Sequence, residues 1–209
     1  MIDKIASWKF SEEFVSEPEH IANARRQAQE LGVEPVTAGT GNQLALIAAI
    51  SNARSIVEIG TGAGVSGLWL LSASDESVLT TIDDEPEYQN VAREMFKQSG
   101  IAQNRIRAIT GKARAVVGNM AEEAYDLVFI DIDPNDLEAV LEAAIGLVKK
   151  GGTIVVAHAL WRDRVPNPAL RDEDTTSLRN VIRNLGDREE FISSLSMVGD
   201  GLLVAVKAS

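Results

Sequence analysis

Acidic side chains recur at the ends of short apolar runs in this chain. Glu58 lies in "SIVEI", which leads into Gly60, Thr61, Gly62 and Gly64. Asp83 ends "VLTTID" with Asp84 next to it, Asp131 and Asp133 follow "DLVFI", and His158 ends "TIVVAH". Gly62, Gly64 and Gly67 also spell G-x-G-x-x-G, the spacing of a turn that brings backbone amides close to a pyrophosphate. A pyrophosphate suits these neighbours poorly. Two phosphate charges beside Glu58 and Asp131 would be repelled by several kcal/mol at an effective dielectric of about 20. A ligand with cationic groups would be attracted instead.

For these side chains to meet, the runs that carry them must be strands of one sheet. Residues 55–59, 78–83, 105–110, 126–131 and 153–158 read as strands, with helical stretches near 65–73, 86–99, 112–122 and 135–149. "YDLVFIDI" and "GTIVVA" are almost wholly apolar, as strands covered on both faces are. The alternation of strand and helix predicts a parallel sheet with right-handed crossovers. Ligands of such sheets bind beyond the carboxyl ends of the strands. Glu58, Asp83, Gly111, Asp131 and His158 all fall there.

Two helices precede the sheet. One follows Ser16, with Ser16 and Glu19 in capping-box spacing, Pro18 near its start and Gly32 at its end. The other spans about 41–53 and carries "LALIAAI". After the fifth strand, 161–174 reads as a mobile loop over the ligand end, followed by a helix at 173–185. "FISSLSMV" and "LLVAVK" are joined by Gly199–Gly201, enough for a hairpin and too short for a crossover, so the last strand runs antiparallel. The expected fold class is α/β, a doubly wound, seven-stranded, mostly parallel sheet. It forms one domain over residues 1–209, with helices in 1–53 and the cofactor-binding core in 54–209.

Composition narrows the partners. The formal net charge is −11, and the densest basic cluster is "ARR" at 24–26, so nucleic acid is not an expected partner. The chain has no cysteine, which fits a reducing cytoplasm and removes thiolate metal sites. Its N-terminus lacks a signal-peptide core, and its longest apolar run, 44–50, is too short to span a bilayer. A cytoplasmic protein without membrane attachment is expected.

The cationic ligand that fits is S-adenosylmethionine. Gly60, Gly62 and Gly64 would let the backbone approach it, and Asp83 would accept hydrogen bonds from its ribose. A ribose acid serves NAD equally well; Glu58 is the discriminating residue. Each position also has a plainer use. The glycines can serve the tight turn alone, Asp133 can cap the helix that Pro134 begins, and His158 can be structural. Asp126, at the opposite end of its strand, reads as solvated, and His20 has no assigned role. Trp161 reads equally as a wall for an aromatic acceptor or as core packing.

These residues lie in motifs that resemble a known family. "VEIGTGAGVSGLWLL", "TTIDDEPEYQNVAREMF", "YDLVFIDIDPNDLEAVLEAAIGLVKKGG", "VAHALW" and "GDGLLVAVK" are similar to the S-adenosylmethionine-dependent O-methyltransferases related to catechol and caffeoyl-CoA O-methyltransferases. The resemblance implies a Rossmann-like methyltransferase sheet in the order 3-2-1-4-5-7-6, a homodimer, and methyl transfer to a hydroxyl of a small-molecule acceptor. It places Glu58, Gly60, Thr61 and Ser66 around the methionine part of the cofactor and Asp83 on the ribose. Gly111, Lys112 and Ala113 would line the adenine, with Val36 and Asp133 as further cofactor neighbours. Asp131 matches the acidic residue at the reaction centre.

The chain departs from that family at two catalytic places. Metal-dependent relatives carry Asp-Asn where this chain has Ala157-His158, and catechol-type relatives carry a lysine where it has Pro134. Magnesium prefers all-oxygen ligands, whereas an Asp131–His158 pair suits a softer transition metal. A divalent metal and a metal-free enzyme both remain open. His158 becomes the candidate general base. Methylation of nitrogen, or cofactor binding without catalysis, are the other functions these departures allow.

Overall fold

The computed structural model describes residues 4–208. Its centre is a seven-stranded sheet in the order β3-β2-β1-β4-β5-β7-β6. The strands are β1 (Ser55–Ile59), β2 (Val78–Asp83), β3 (Ile106–Thr110), β4 (Tyr125–Ile130), β5 (Val148–Val156), β6 (Phe191–Ser196) and β7 (Leu202–Lys207). The first five pair in parallel, while β7 runs antiparallel to both β5 and β6. Topology and direction thus agree with the expected fold class.

Alternation along the central strands builds two apolar layers, because successive side chains of a strand face opposite ways. Leu127 and Phe129 of β4 join one layer with α2 (Glu19–Glu30), α3 (Ala38–Ile50), α4 (Val65–Ser72) and α5 (Pro86–Gln98). Val128 and Ile130 join the other with α6 (Ala113–Val117), α7 (Pro134–Leu147) and α8 (Glu173–Asp187). On α8, Leu178, Val181 and Leu185 recur at helical spacing and are buried, and the Asp172 side chain caps the first turn by accepting from Thr175 N–H. Burying side chains of this size contributes about 1.5–3 kcal/mol each.

Several local expectations are corrected. The N-terminal segment forms a helix, α1 (Lys4–Glu13), which the sequence reading did not assign. Pro18, not Ser16, occupies the N-cap of α2, and no side chain caps it. The stretch expected to be helical over 112–122 is helical only over Ala113–Val117. β5 ends at Val156, which leaves His158 two residues beyond it at φ 52. Asp126 is buried rather than solvated: it accepts from the amides of Arg54 and Ser55 and pairs with Lys149.

The segment at 161–174 is fastened rather than loose. Arg179 of α8 donates to four of its carbonyls, those of Arg164, Val165, Asn167 and Leu170. A planar guanidinium with five donors suits such a task, since it satisfies a loop that has no ladder of its own. The segment opens on three successive left-handed residues, Trp161, Arg162 and Asp163.

Candidate active site

Beyond the carboxyl ends of the parallel strands lies a cavity of about 900 Å³. Of the residues singled out above, Val36, Gly60, Thr61, Gly62, Ser66, Asp83, Lys112, Ala113, Asp131, Asp133 and His158 line it. The sheet therefore gathers on one surface what the sequence scatters over more than a hundred residues. Two candidates stand apart. Gly111 does not form the wall; its amide donates to the Asp83 carbonyl at 2.8 Å and extends the β2–β3 ladder. Glu58 is fully buried behind the wall.

Glu58 ends a buried relay. Its Oε1 accepts from Ser66 Oγ at 2.6 Å, and its Oε2 accepts from Thr81 Oγ1 at 2.5 Å. Thr81 shares a 2.6 Å contact with Thr61 Oγ1, which accepts from Gln89 Nε2 at 2.8 Å. Burial pushes the Glu58 carboxyl up to about 7, against the lowering effect of the Ser66 and Thr81 hydroxyls. The nearby carboxylates of Asp131 and Asp83 add to the rise. Hydrogen bonds connect it to the cavity through Ser66 and, by way of Thr81, through Thr61, both of which line it.

Asp83 fixes the glycine turn. Its Oδ2 accepts from the amides of Thr61 and Gly62, both at 2.9 Å, and its Oδ1 accepts from Glu85 N–H at 3.0 Å. The glycines of the turn are shaped by their neighbours as well as by any ligand. Gly64 stands at φ 85 against Ala92 and Phe96, where a side chain would crowd α5. Asp133 occupies the N-cap position of α7, yet its side chain makes no capping bond, and it lines the cavity instead.

Asp131 and His158 face each other across the floor, with His158 Nε2 at 3.5 Å from Asp131 Oδ1. Burial raises the Asp131 carboxyl, while the charge of His158 opposes the rise and that of Glu34 adds to it. A second cavity of about 490 Å³ adjoins the first, and Glu34, Pro35, Val36, His158 and Arg162 belong to both. Ile5 and Trp8 of α1, with Leu160 and Met197, give the second cavity apolar walls. Trp161 lines the first cavity and packs against the core layer that holds α6, α7 and α8.

The sequence reading missed Glu34, Tyr88 and Arg162 on the first cavity and, apart from Val36 and His158, the residues named here on the walls of the second. A tryptophan in "ASWKF" was the available signal for α1, and it carries no spacing that distinguishes a cavity wall.

The glycine turn, the acid at the end of β2 and the apolar flank around Val36 fit S-adenosylmethionine in size and chemistry. The donors for a family-type metal do not fit. Ala157 offers a methyl group, and both nitrogens of His158 already face carboxylates, those of Asp131 and Asp200. Among the described residues, no group of three or more acidic or histidine side chains could hold an ion.

Comparison with known proteins identifies the family. A profile of the O-methyltransferase family matches residues 11–208. A protein of Mycobacterium ulcerans (strain Agy99), whose name places it among the O-methyltransferases, is 43% identical over 194 residues, covering 92% of this chain and 87% of its own. A crystal structure of a Corynebacterium glutamicum protein superposes with a TM-score of 0.91 at 29% identity, covering 99% of this chain and 98% of the other. The O-methyltransferase TomG of Streptomyces achromogenes, solved in complex with S-adenosylmethionine, superposes at 0.82 with 26% identity and full coverage of both chains (100% each). With a family profile over nearly its whole length, the chain belongs to the O-methyltransferase family.

Proposed function

We propose that this enzyme transfers the methyl group of S-adenosylmethionine to a hydroxyl of a small-molecule acceptor, and that His158 takes the hydroxyl proton. One observation carries the assignment of roles: His158 stands on the wall shared by the two cavities, opposite Asp131. The larger cavity takes the cofactor and the smaller, with its apolar flank and shared histidine, takes the acceptor. Residues 1–209 are read as one domain, since Trp8 of α1 donates to the Gly199 carbonyl and so ties the N-terminal helices to the sheet.

The chemistry follows from the placement of these groups. When bound, S-adenosylmethionine supplies an electrophilic methyl on a sulfonium. Asp83, Thr61 and Gly62 form a rigid edge for the ribose side, and Lys112 and Ala113 flank the adenine side. Ser66 and Thr61 pass the negative charge of Glu58 toward the methionine side. The acceptor reaches across from the second cavity to where the two meet, so that its hydroxyl approaches His158 Nε2 beside Asp131; Nε2 accepts its proton as the oxygen–carbon bond forms and the carbon–sulfur bond breaks. Alignment of the two reactants supplies much of the rate, since in-line displacement demands near-contact geometry. The carboxylate of Asp131 then stabilises the imidazolium until the proton reaches solvent.

No step is routed through a metal, because Ala157 and His158 replace the oxygen donors such a step needs. Exposed apolar side chains, among them Phe10 of α1, Phe14 just after it, and Leu46 and Ile50 of α3, support a homodimer. The absence of cysteine supports a cytoplasmic location. Turnover of S-adenosylmethionine with a panel of catechols, phenols and aliphatic alcohols tests the reading; methylation of amines alone would refute it.

A further inference from the structure

Asp200 lies at the tip of the β6–β7 hairpin, 42 residues from His158, yet its carboxylate reaches the same imidazole. Asp200 Oδ2 is 3.4 Å from His158 Nδ1, and Oδ1 accepts from Arg162 N–H at 2.6 Å. The ring is thus held between two carboxylates, Asp200 on Nδ1 and Asp131 on Nε2. His158 itself is in the left-handed backbone region at φ 52, a conformation that a non-glycine residue keeps only where its surroundings impose it.

The hairpin tip is built to stay in this place. Leu160 N–H donates to the Asp200 carbonyl at 2.9 Å, and Ala159 N–H to the Gly201 carbonyl at 3.0 Å. A methyl group on Gly201 would overlap Leu160, so only glycine permits this approach. From the other side α1 grips the peptide units of Gly199. Trp8 Nε1 donates to its carbonyl at 3.2 Å, and Glu12 accepts from its amide at 2.6 Å.

We infer that Asp200 is a positioning residue for His158: it accepts from Nδ1–H and leaves Nε2 as the basic nitrogen presented to the acceptor. The inference rests on the reading of His158 as proton acceptor and extends it to the group that makes Nε2 available. The partner of one ring nitrogen decides which nitrogen carries the proton. A neutral imidazole in water favours Nε2–H, the wrong tautomer for a base that works through Nε2. Of the two flanking carboxylates, Asp200 hydrogen-bonds its ring nitrogen, whereas Asp131 stands at an ion-pair distance of 3.5 Å from Nε2; the bond on Nδ1 therefore reverses that preference and stabilises the imidazolium once the proton arrives. The same logic orients histidine in the serine-protease triad. Leu160 and Arg162, bonded to the Asp200 backbone and carboxylate, then couple the left-handed turn after His158 to the same ring.

Nitrogen-15 NMR of the imidazoles in the intact protein tests this directly. The chain has two histidines, His20 and His158, so a His20→Gln variant assigns the signals. The neutral form of His158 should show a protonated Nδ1 and a pyridine-type Nε2. In Asp200→Ala the proton should move toward Nε2, and kcat should fall about 10–100-fold, as loss of an orienting partner does. S-adenosylmethionine affinity should stay within about threefold, within the scatter of a positioning effect on kcat.

Asp200→Asn gives a second, isosteric test should the alanine variant fold poorly. The Arg162 amide requires the amide oxygen of the new side chain, which turns its NH2 toward Nδ1 and forces the Nε2–H tautomer. Its kcat should fall at least as far as that of Asp200→Ala. A wild-type His158 with its proton on Nε2, or variants with unchanged tautomer and kcat, would overturn the inference. A His158→Ala variant with normal turnover would instead remove the base reading, while the tautomer shift would still establish Asp200 as the residue that sets the ring.

Discussion

Gly60 and Asp131 touch across the ends of β1 and β4, so closely that a methyl group on Gly60 would overlap the Asp131 carbonyl oxygen. The Gly60 amide donates to the Ile82 carbonyl at 2.8 Å and the Asp131 amide to the Ile59 carbonyl at 2.8 Å, which locks three strand ends into one register. The first glycine of the motif therefore exists for the approach of two strands, and the cavity floor inherits its shape from that approach.

Gly60→Ala should accordingly be among the most damaging single-atom additions in the chain. Its φ of 98 is closed to side chains, and the new methyl has backbone, not a flexible side chain, in its path. Overpacking and backbone strain together should cost roughly 2–5 kcal/mol. Denaturant unfolding reads the loss, and an unchanged midpoint would show that the strand ends can part without cost.

Glu58 makes stability and cofactor affinity depend on pH in opposite senses. Its folded value of about 7 lies above the ordinary carboxylate value of 4.5, so the native state holds this proton more tightly than the unfolded chain. The stabilisation is fully present below about pH 4.5 and is lost as pH rises through about 7, a swing of roughly 3 kcal/mol. A cationic cofactor favours the ionised form, so its affinity should rise between about pH 6 and 8. Glu58→Gln should flatten both trends relative to wild type, in chemical unfolding and in calorimetric titration with S-adenosylmethionine. Parallel pH profiles for the two proteins would rule this out.

The sheet was legible because its signals are local. Apolar runs of four to six residues, each ended by an acid or a glycine and followed by a helical stretch, leave little freedom of topology. Asp83, Asp131 and His158 could be placed at one edge from that pattern alone. What escaped was set by packing between distant segments. No residue of α1 is buried and its polar and apolar side chains have no clear face, so its helical and cavity-lining role has no periodic signature. Asp200 read only as the middle of a hairpin turn, since its partners His158 and Arg162 reach it through tertiary contact. Glu58 was expected beside the ligand, yet Ser66 and Thr81 close over it; counting residues from a strand end does not reveal what covers them.

Arg179 fastens the segment that follows the left-handed turn at Trp161, Arg162 and Asp163. Its guanidinium satisfies four carbonyls between Arg164 and Leu170, and none of these has a helix or sheet to bond instead. Arg179→Ala should lower stability by about 1–3 kcal/mol and expose the segment to limited proteolysis near Asn167. Arg179→Lys should rescue little, because one ammonium cannot reach four acceptors in a plane. Full protection of the segment in the alanine variant would show that other contacts hold it.

Magnesium should be dispensable. Ala157 contributes no donor, and the Asp131–His158 pair presents one oxygen and one nitrogen where a hard cation wants several oxygens. Turnover measured after exhaustive chelation should remain within about twofold of the untreated enzyme, the limit of a contribution that is not chemical. Complete loss on chelation with full recovery on magnesium alone would contradict this and would require ligands from elsewhere in the molecule.

The decisive variant is His158→Ala. If Nε2 takes the acceptor proton, kcat should fall by roughly 10²–10⁴, the usual contribution of a positioned general base. S-adenosylmethionine affinity should hold, because the glycine turn, Asp83 and the Glu58 relay are fixed by bonds that do not involve His158. The alternative is a histidine that merely packs the turn at 158–163, where its ring lies between Asp131 and Asp200. In that case the variant would lose melting temperature and keep its kcat. Removing the ring also leaves the Asp131 and Asp200 carboxylates without the group that lies between them, so some loss of stability is expected on either account. Turnover is therefore the measurement that separates them: near-normal kcat with a lowered melting temperature assigns His158 to packing, and a collapsed kcat with intact cofactor binding assigns it to chemistry.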